Sequence, residues 1–447
     1  MTIPRKTSLY RSKILMILGT FILSMFTLQL WAVERFPPPE FESGYTFPST
    51  STPQPRANYL EYVDFLVLVV CLSLGSYIIT KRRSRREIYF LTLFSVAYFG
   101  FWRKGCICAI GSIQNIALSL FNSSYAVPIT VLGFFIVPIL FALFFGRVFC
   151  SGVCPLGAIQ DIVLLRPIKI PDWLESSLSF LKYVYLAFAV VFAATGSAFI
   201  ICEFDPFVSI FRRSGNFLMV GLGVVFLAVG LFIGRPYCRF FCPYGAILGI
   251  VSRFSKWPVV LSPTDCLLCK ICDIACPYGA IKDPAKKVDQ SHSHFFLKLA
   301  TLIAIGTIFC FVGAYAGKAL ALPFSKVHPV VRLAEQIAAE DSGKNIQPTD
   351  ESKAFRQGTT PTETLYANAF EIRSRFQFGG IVAGIFLGLA AVFKIAVQLF
   401  PQPSSVYEPD PVNCVACGRC FTFCPREIVI RKRLNSEFQL TQKTEKK

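Results

Sequence analysis

The sequence predicts an all-α polytopic membrane protein of about eight transmembrane helices, carrying a small α+β domain that the last helical hairpin splits in two. Three observations predict it. The 447 residues are 53% hydrophobic and only 16% charged, with a mean hydropathy of +0.53, which is a membrane-protein composition and not that of a soluble enzyme. Apolar segments recur at close to the ~20 residues that cross a hydrocarbon core of ~30 Å. Two cysteine-rich stretches of identical spacing flank the last two of those segments.

The apolar segments run over about 14–33, 60–80, 88–102, 125–146, 180–201, 216–234, 295–316 and 376–400. The first follows Arg5, Lys6, Arg11 and Lys13, which places the N-terminus inside by the positive-inside rule. The same flank could lead a signal peptide, but Trp31-Ala-Val-Glu34 offers no small-residue cleavage site, so a retained anchor is expected. With the Pro-, Ser- and Thr-rich outer loop that follows, it makes an N-terminal unit over 1–59. Residues 60–255 form the transmembrane core. Lys81-Arg-Arg-Ser-Arg-Arg86 marks the inner side. The segment 88–102 is short and precedes Arg103-Lys104, so a re-entrant or interfacial segment is the alternative to a span there. Parity returns 235–294 and 401–447 to the inside. The expectation is therefore a multi-pass protein of the bacterial inner (cytoplasmic) membrane with both termini cytoplasmic. The net charge of +18 gathers beside apolar segments, which argues for a bilayer and against nucleic acid. The outer loop 317–375 has helical periodicity over Val330–Ala339 and reads as a small cap or partner-docking surface.

The chemistry lies in the cysteines. Cys266-Leu-Leu-Cys269-Lys-Ile-Cys272-Asp-Ile-Ala-Cys276-Pro277 is repeated as Cys414-Val-Ala-Cys417-Gly-Arg-Cys420-Phe-Thr-Phe-Cys424-Pro425. A C-x2-C-x2-C-x3-C-P run is the bacterial-ferredoxin spacing for a [4Fe-4S] cluster: one tight loop brings three thiolates to one cube, and the fourth goes to the partner cluster. That puts Cys266, Cys269, Cys272 and Cys424 on one cluster and Cys414, Cys417, Cys420 and Cys276 on the other. Zinc sites pair their C-x2-C elements differently. The ferredoxin-like domain is thus split into halves at 256–294 and 401–447 by the hairpin 295–400, whose antiparallel helices would bring the halves together. Ile271, Ile274, Phe421 and Phe423, between the ligands, are expected to keep water away. Lys270, Arg419 and Arg426 would raise the cluster potential or dock an acidic partner. Reduced thiolates place both clusters on the cytoplasmic side.

A second pattern repeats within the membrane part. Gly146-Arg-Val-Phe-Cys150-Ser-Gly-Val-Cys154-Pro-Leu-Gly-Ala-Ile-Gln-Asp-Ile162 matches Gly234-Arg-Pro-Tyr-Cys238-Arg-Phe-Phe-Cys242-Pro-Tyr-Gly-Ala-Ile-Leu-Gly-Ile250. Cys150, Cys154, Cys238 and Cys242 could together make a third metal or redox site, or stand as two thiol pairs. Arg147 and Arg235 could offset a cluster's charge, although snorkelling at a helix end is the commoner reason for such residues. A degenerate copy, Cys108-Ala-Ile-Gly-Ser-Ile-Gln-Asn-Ile116 with Cys106 upstream, suggests an outer metal site with Cys202 and Cys310, against the plainer reading of buried cysteines as small hydrophobes. Cys71 has only that plainer reading. His292 and His294 could meet a quinone head group or stay solvated. Glu203 and Asp205 could accept protons or cap a helix.

The paired Gly-Arg-x-x-Cys-x3-Cys-Pro-x-Gly-Ala elements followed by ferredoxin runs resemble the NosR/NapH family of membrane-bound polyferredoxins, over roughly residues 85–280. The resemblance lacks that family's outer flavin-binding domain, because no Thr-Gly-Ala-Thr-like attachment motif is present. NapH-like members also keep their ferredoxin in one piece. The resemblance implies an inner-membrane iron–sulfur protein that relays electrons between a quinone pool or cytoplasmic donor and a partner redox enzyme. Such a partner would be a membrane or periplasmic reductase. The rival expectation is an assembly or maturation factor, or a redox regulator, that supplies reducing equivalents to a metal centre. No Rossmann fingerprint, P-loop or hydrolase triad is present, so substrate chemistry of its own is not expected.

Overall fold

Among the described residues nearly all regular structure is helical, and the single sheet has two strands of two residues each. The computed structural model describes residues 57–105, 109–123, 125–214, 217–261, 266–284, 292–342, 347–400 and 404–429. The N-terminal anchor expected over 14–33 and the basic tail beyond 429 lie outside them.

Four helices are long and apolar enough to cross a membrane by length and composition: Tyr59–Arg82, Trp173–Ala194, Phe296–Ser325 and Thr362–Leu399. A fifth results if Pro206–Arg212 and Phe217–Gly230 form one bent span. The chain is a membrane protein with fewer such helices among the described residues than the eight segments suggested. Helix Ile129–Phe145 has only 17 residues. Segment 88–102 is the continuation of helix Arg85–Ser95 into a π-helical turn, Val96–Trp102. Its buried Thr92 and Ser95 turn inward: the Ser95 hydroxyl donates to the Val153 carbonyl. At its far end Arg103 pairs with Asp64 of the first described helix at 2.7 Å, and the Tyr98 hydroxyl donates to Asp64 at 2.7 Å.

The long helices His292–Ser325 and Thr362–Leu399 run antiparallel, backbone on backbone. A Cβ on Gly313 would meet the Gly384 carbonyl oxygen, one on Gly317 the Gly380 oxygen, and one on Gly388 the Phe309 oxygen. These glycines recur every four residues, the small-xxx-small pattern by which helices in lipid approach most closely. The hairpin carries the two cysteine runs to one place, where Ile281 pairs with Pro409 and Lys282 with Glu408 in an antiparallel register. At its opposite end, helix Pro329–Asp341 packs Val331, Ala334 and Ile337 on Leu365 and Ala369, making the small helical cap.

Candidate iron–sulfur centres

The two cysteine runs fold alike. In each, the residue two after the first cysteine (Leu268, Ala416) and the residue after the second (Lys270, Gly418) have positive φ, between 51° and 71°. Alternating left-handed residues curl the backbone into a concave loop, as three thiols facing one point require, and such loops form anion cradles. One turn of helix follows, Ile271–Ala275 or Arg419–Phe423. The fourth cysteine then sits in extended backbone before its proline, which sends it to the other half.

Cys266, Cys269, Cys272 and Cys424 line one cavity of about 30 Å³. Cys276, Cys414, Cys417 and Cys420 line a second of about 20 Å³. Among the described residues no three His, Cys, Asp or Glu side chains converge on a point that would hold a single metal ion. The Ala280 amide donates to Cys276 Sγ at 3.4 Å. Burial pushes the Cys272 thiol up to about 11 and Cys414 to about 12, so a bare thiolate is costly at either.

The side chains between the ligands differ in exposure, and this corrects the expectation that apolar residues there exclude water. Only Phe421 is buried, because it packs on Leu261 and Cys272 of the other half, while Ile271, Ile274 and Phe423 are exposed. Arg419 likewise faces inward, onto Asp161 at 3.1 Å, and not towards a partner.

The repeated membrane elements make a third convergence. Cys154 and Cys242 are the N-caps of helices Pro155–Val163 and Pro243–Ser252, each with proline at its first position, where the missing N–H costs nothing. Cys150 lies in a π-helical turn, Phe149–Val153, and Cys238 in helix Pro236–Phe240. All four are buried in one core cluster, and Cys242 interacts electrostatically with the other three. Donors aim at the sulfurs: Gln160 Nε2 to Cys238 at 3.3 Å, the Gly245 amide to Cys242 at 3.3 Å, and Arg147 Nη2 to Cys150 at 3.8 Å.

The repeats lock reciprocally. A Cβ on Gly157 would lie 3.3 Å from Arg235 Nη1, and one on Gly245 would lie 3.3 Å from Arg147 Nη2. The glycine in each Cys-Pro-x-Gly-Ala therefore makes room for the arginine of the other copy. Both arginines are buried, which corrects the snorkelling expectation. Arg235 donates to the Cys150 and Ser151 carbonyls and Arg147 to the Val412 carbonyl at 2.9 Å, because each is needed to tie non-contiguous backbone together.

Sequence reasoning missed Asp161, on the helix that follows Cys154. This fully buried carboxylate pairs with Arg85, Arg235 and Arg419 and accepts from the Tyr278 hydroxyl at 2.9 Å. It ties together the inner arginine run, the second membrane repeat and both ferredoxin halves. Burial would raise its pKa, but Arg235, Arg85 and Arg419 outweigh burial and hold the carboxyl well below the usual range. The available signal was an asymmetry: the otherwise matched repeats have Asp161 where the second has Gly249. Lys182 was missed too. It is buried and lines a cavity of about 20 Å³ with Arg147, Arg235, Arg239 and Cys238. No ion pair links Lys182 or Arg147 to a carboxylate among the described residues. The arginines of the 81–86 run also clamp the second cysteine run: Arg83 pairs with buried Glu427 and lies over the Phe421 ring, and Arg85 donates to the Cys417 carbonyl at 3.1 Å.

Of the suggested outer site, Cys202 is exposed and Cys310 half-buried. Cys106 and Cys108 lie outside the described residues. The Cys310 backbone packs on Gly388, whereas Ile200, beside Cys202, packs near Ala321 and Phe376, roughly 16 Å further along the helix at 1.5 Å per residue. Asp205 caps helix Pro206–Arg212 through the Phe207 amide at 2.9 Å. The side chains of His292 and His294 lie outside the described set.

The 4Fe-4S binding domain family Fer4_5 matches residues 127–171 and 216–259, the stretches that carry the two membrane repeats. The chain is 35% identical to protein NirI of Paracoccus denitrificans over 164 residues, 33% of this chain and 24% of the relative. It is 29% identical over 189 residues to YccM of Escherichia coli, whose name assigns it to electron transport, covering 38% of this chain and 52% of the relative. With the regulatory protein NosR of Stutzerimonas stutzeri it shares 26% identity over 221 residues, 46% of this chain and 30% of the relative. The chain therefore spans only about a quarter to a half of the length of these relatives. No solved structure matches it significantly. Its matched 4Fe-4S repeats, its membrane helices and these relatives agree: the chain is similar to the NosR/NapH-like family of membrane-bound polyferredoxins.

Proposed function

We propose that this protein is a membrane-bound electron relay. It holds one [4Fe-4S] cluster on Cys266, Cys269, Cys272 and Cys424 and a second on Cys276, Cys414, Cys417 and Cys420. The observation that carries the reading is that each four-thiol cavity draws its sulfurs from both ferredoxin halves, the exchange expected of a two-cluster ferredoxin. Thiols that surround a cavity without converging on a single-ion point favour a cube over zinc. Bound iron would supply the one-electron chemistry. The protein's residues position it, aim amides at sulfur and set its surroundings.

A third iron–sulfur or other redox centre belongs to Cys150, Cys154, Cys238 and Cys242. Arg147 and Lys182 are buried beside these sulfurs without a carboxylate partner, and an uncompensated buried cation is costly. Neutral thiols or disulfides would leave both uncompensated, whereas an anionic thiolate–iron centre balances them. Cys238 lines the same cavity as Val415, next to Cys414, which supports adjacency of the third centre to the second cluster. A quinone donor or acceptor is supported by an apolar cavity of about 940 Å³ lined by Phe135, Leu186, Phe378 and Phe386, with Thr195, Ser374 and Arg375 as its polar groups. That volume is at the upper end of ordinary ligand pockets. The inner membrane is the proposed location, with the ferredoxin on the cytoplasmic face beside Lys81–Arg86 and a respiratory reductase as the final partner.

Iron counting tests the assignment. Anaerobically purified protein is expected to carry about twelve iron per chain, four per cube. Cys150→Ser with Cys242→Ser should lower that to about eight and remove one set of dithionite-reduced EPR signals. Unchanged iron in the double variant removes the third centre; a colourless wild-type protein removes the relay.

A further inference from the structure

We infer that the centre behind Cys269 is the port through which a soluble partner exchanges electrons, and that the partner presents an apolar face rimmed by carboxylates. This inference rests on the relay reading above. The two ferredoxin loops have the same fold and opposite surroundings. In the second, Val415 and Ala416 are 6% and 1% exposed, whereas the equivalent Leu267 and Leu268 of the first are 57% and 55% exposed and stand beside the exposed Ile274. Cys269 itself is exposed. The second loop is covered by the membrane core through Arg85, Arg147 and Asp161, so no soluble protein can approach it closely. Apolar side chains grouped around one exposed thiol are the pattern of an interaction site and not of scattered surface leucines.

The charge of the patch selects the partner. Lys270 and Arg426 are both exposed and flank the same cavity. Neither forms an ion pair among the described residues. The carboxylates beside them are already engaged: Asp273 with Lys169 at 2.5 Å and Glu427 with Arg83. Among the described residues the rim is therefore net positive, complementary to an acidic surface, and charge of this kind acts chiefly on encounter and specificity. One electron passes per encounter. The partner's carrier is oxidised by one unit, the centre behind Cys269 is reduced by one, and no bond is made or broken.

The test uses full-length protein in lipid nanodiscs and, as probe, a small acidic [2Fe-2S] ferredoxin. Its Kd is measured at about 50 mM and about 300 mM salt, where screening lengths differ more than twofold. Lys270→Glu with Arg426→Glu is expected to weaken binding by about tenfold or more at the lower salt and to remove most of the salt dependence. Ile274→Gln should weaken it at both salts. Lys353→Glu, in the cap at the other end of the hairpin, should change nothing. Iron content and EPR spectra, recorded on every variant, separate loss of docking from loss of folding. Wild-type affinity in the double charge variant overturns the proposal and assigns the patch to lipid head groups; so does a wild type that does not bind the probe. Because binding is read without electron transfer, a wild type that binds the probe yet lacks iron defeats the relay reading and leaves the docking result standing.

Discussion

Asp161→Asn is expected to detach the ferredoxin from the membrane core. The substitution keeps shape and removes charge, leaving Arg85, Arg235 and Arg419 around a neutral amide in a site where Asp161 is fully buried. Removing one member of a buried ion network typically costs about 3–5 kcal/mol, a large share of the 5–15 kcal/mol by which a domain is stable. The loss should appear as a lower melting temperature in detergent, loss of iron from the centre on Cys276, Cys414, Cys417 and Cys420, and protease sensitivity beyond Arg253. Asp161→Glu should recover part of it. The native clamp should also be insensitive to pH near neutrality. A carboxyl whose folded pKa is depressed contributes stability that is present above the unfolded value of about 3.9 and is lost only as pH falls through the lower folded value. An Asp161→Asn protein with wild-type iron and melting temperature would refute the clamp.

Gly384→Leu should be nearly as severe, by another route. A Cβ at Gly384 would run into the Gly313 carbonyl oxygen, a clash no side-chain rotamer can relieve, because the Cβ position is fixed by the backbone and the atom it meets is backbone. Overpacking a core ordinarily costs about 1–3 kcal/mol, and here the whole helix must move. Each ferredoxin cavity needs thiols from both ends of this hairpin. Splaying the helices should therefore remove about eight iron per chain together, while the membrane quartet, which the hairpin does not supply, keeps its metal. Retention of all iron in Gly384→Leu would show that the glycine seam is dispensable.

Much of the site was legible because its spacing is local. Three cysteines separated by two residues can reach one point only through a curled loop, and the positive φ values at Leu268, Lys270, Ala416 and Gly418 are that loop. The matched Gly-Arg…Cys-Pro-x-Gly elements marked a repeat. Asp161 was illegible because its partners come from four distant parts of the chain and no periodicity announces them. The burial of Arg147 and Arg235 was misjudged for a related reason: an arginine at a helix end looks the same in sequence whether it reaches water or a glycine of the opposite repeat. The apolar residues of the two ferredoxin loops are equivalent in composition, and only packing makes one set a cover and the other a surface.

A helical membrane chain with iron–sulfur cysteine runs is legible in short windows, because hydropathy over a bilayer thickness and thiol spacing along a loop are local properties. Which loop faces outward, which arginines share Asp161 and how closely the hairpin closes were decided only by the tertiary structure. Those depend on pairs of residues far apart in the chain, whose energies arise only when burial removes water from between them.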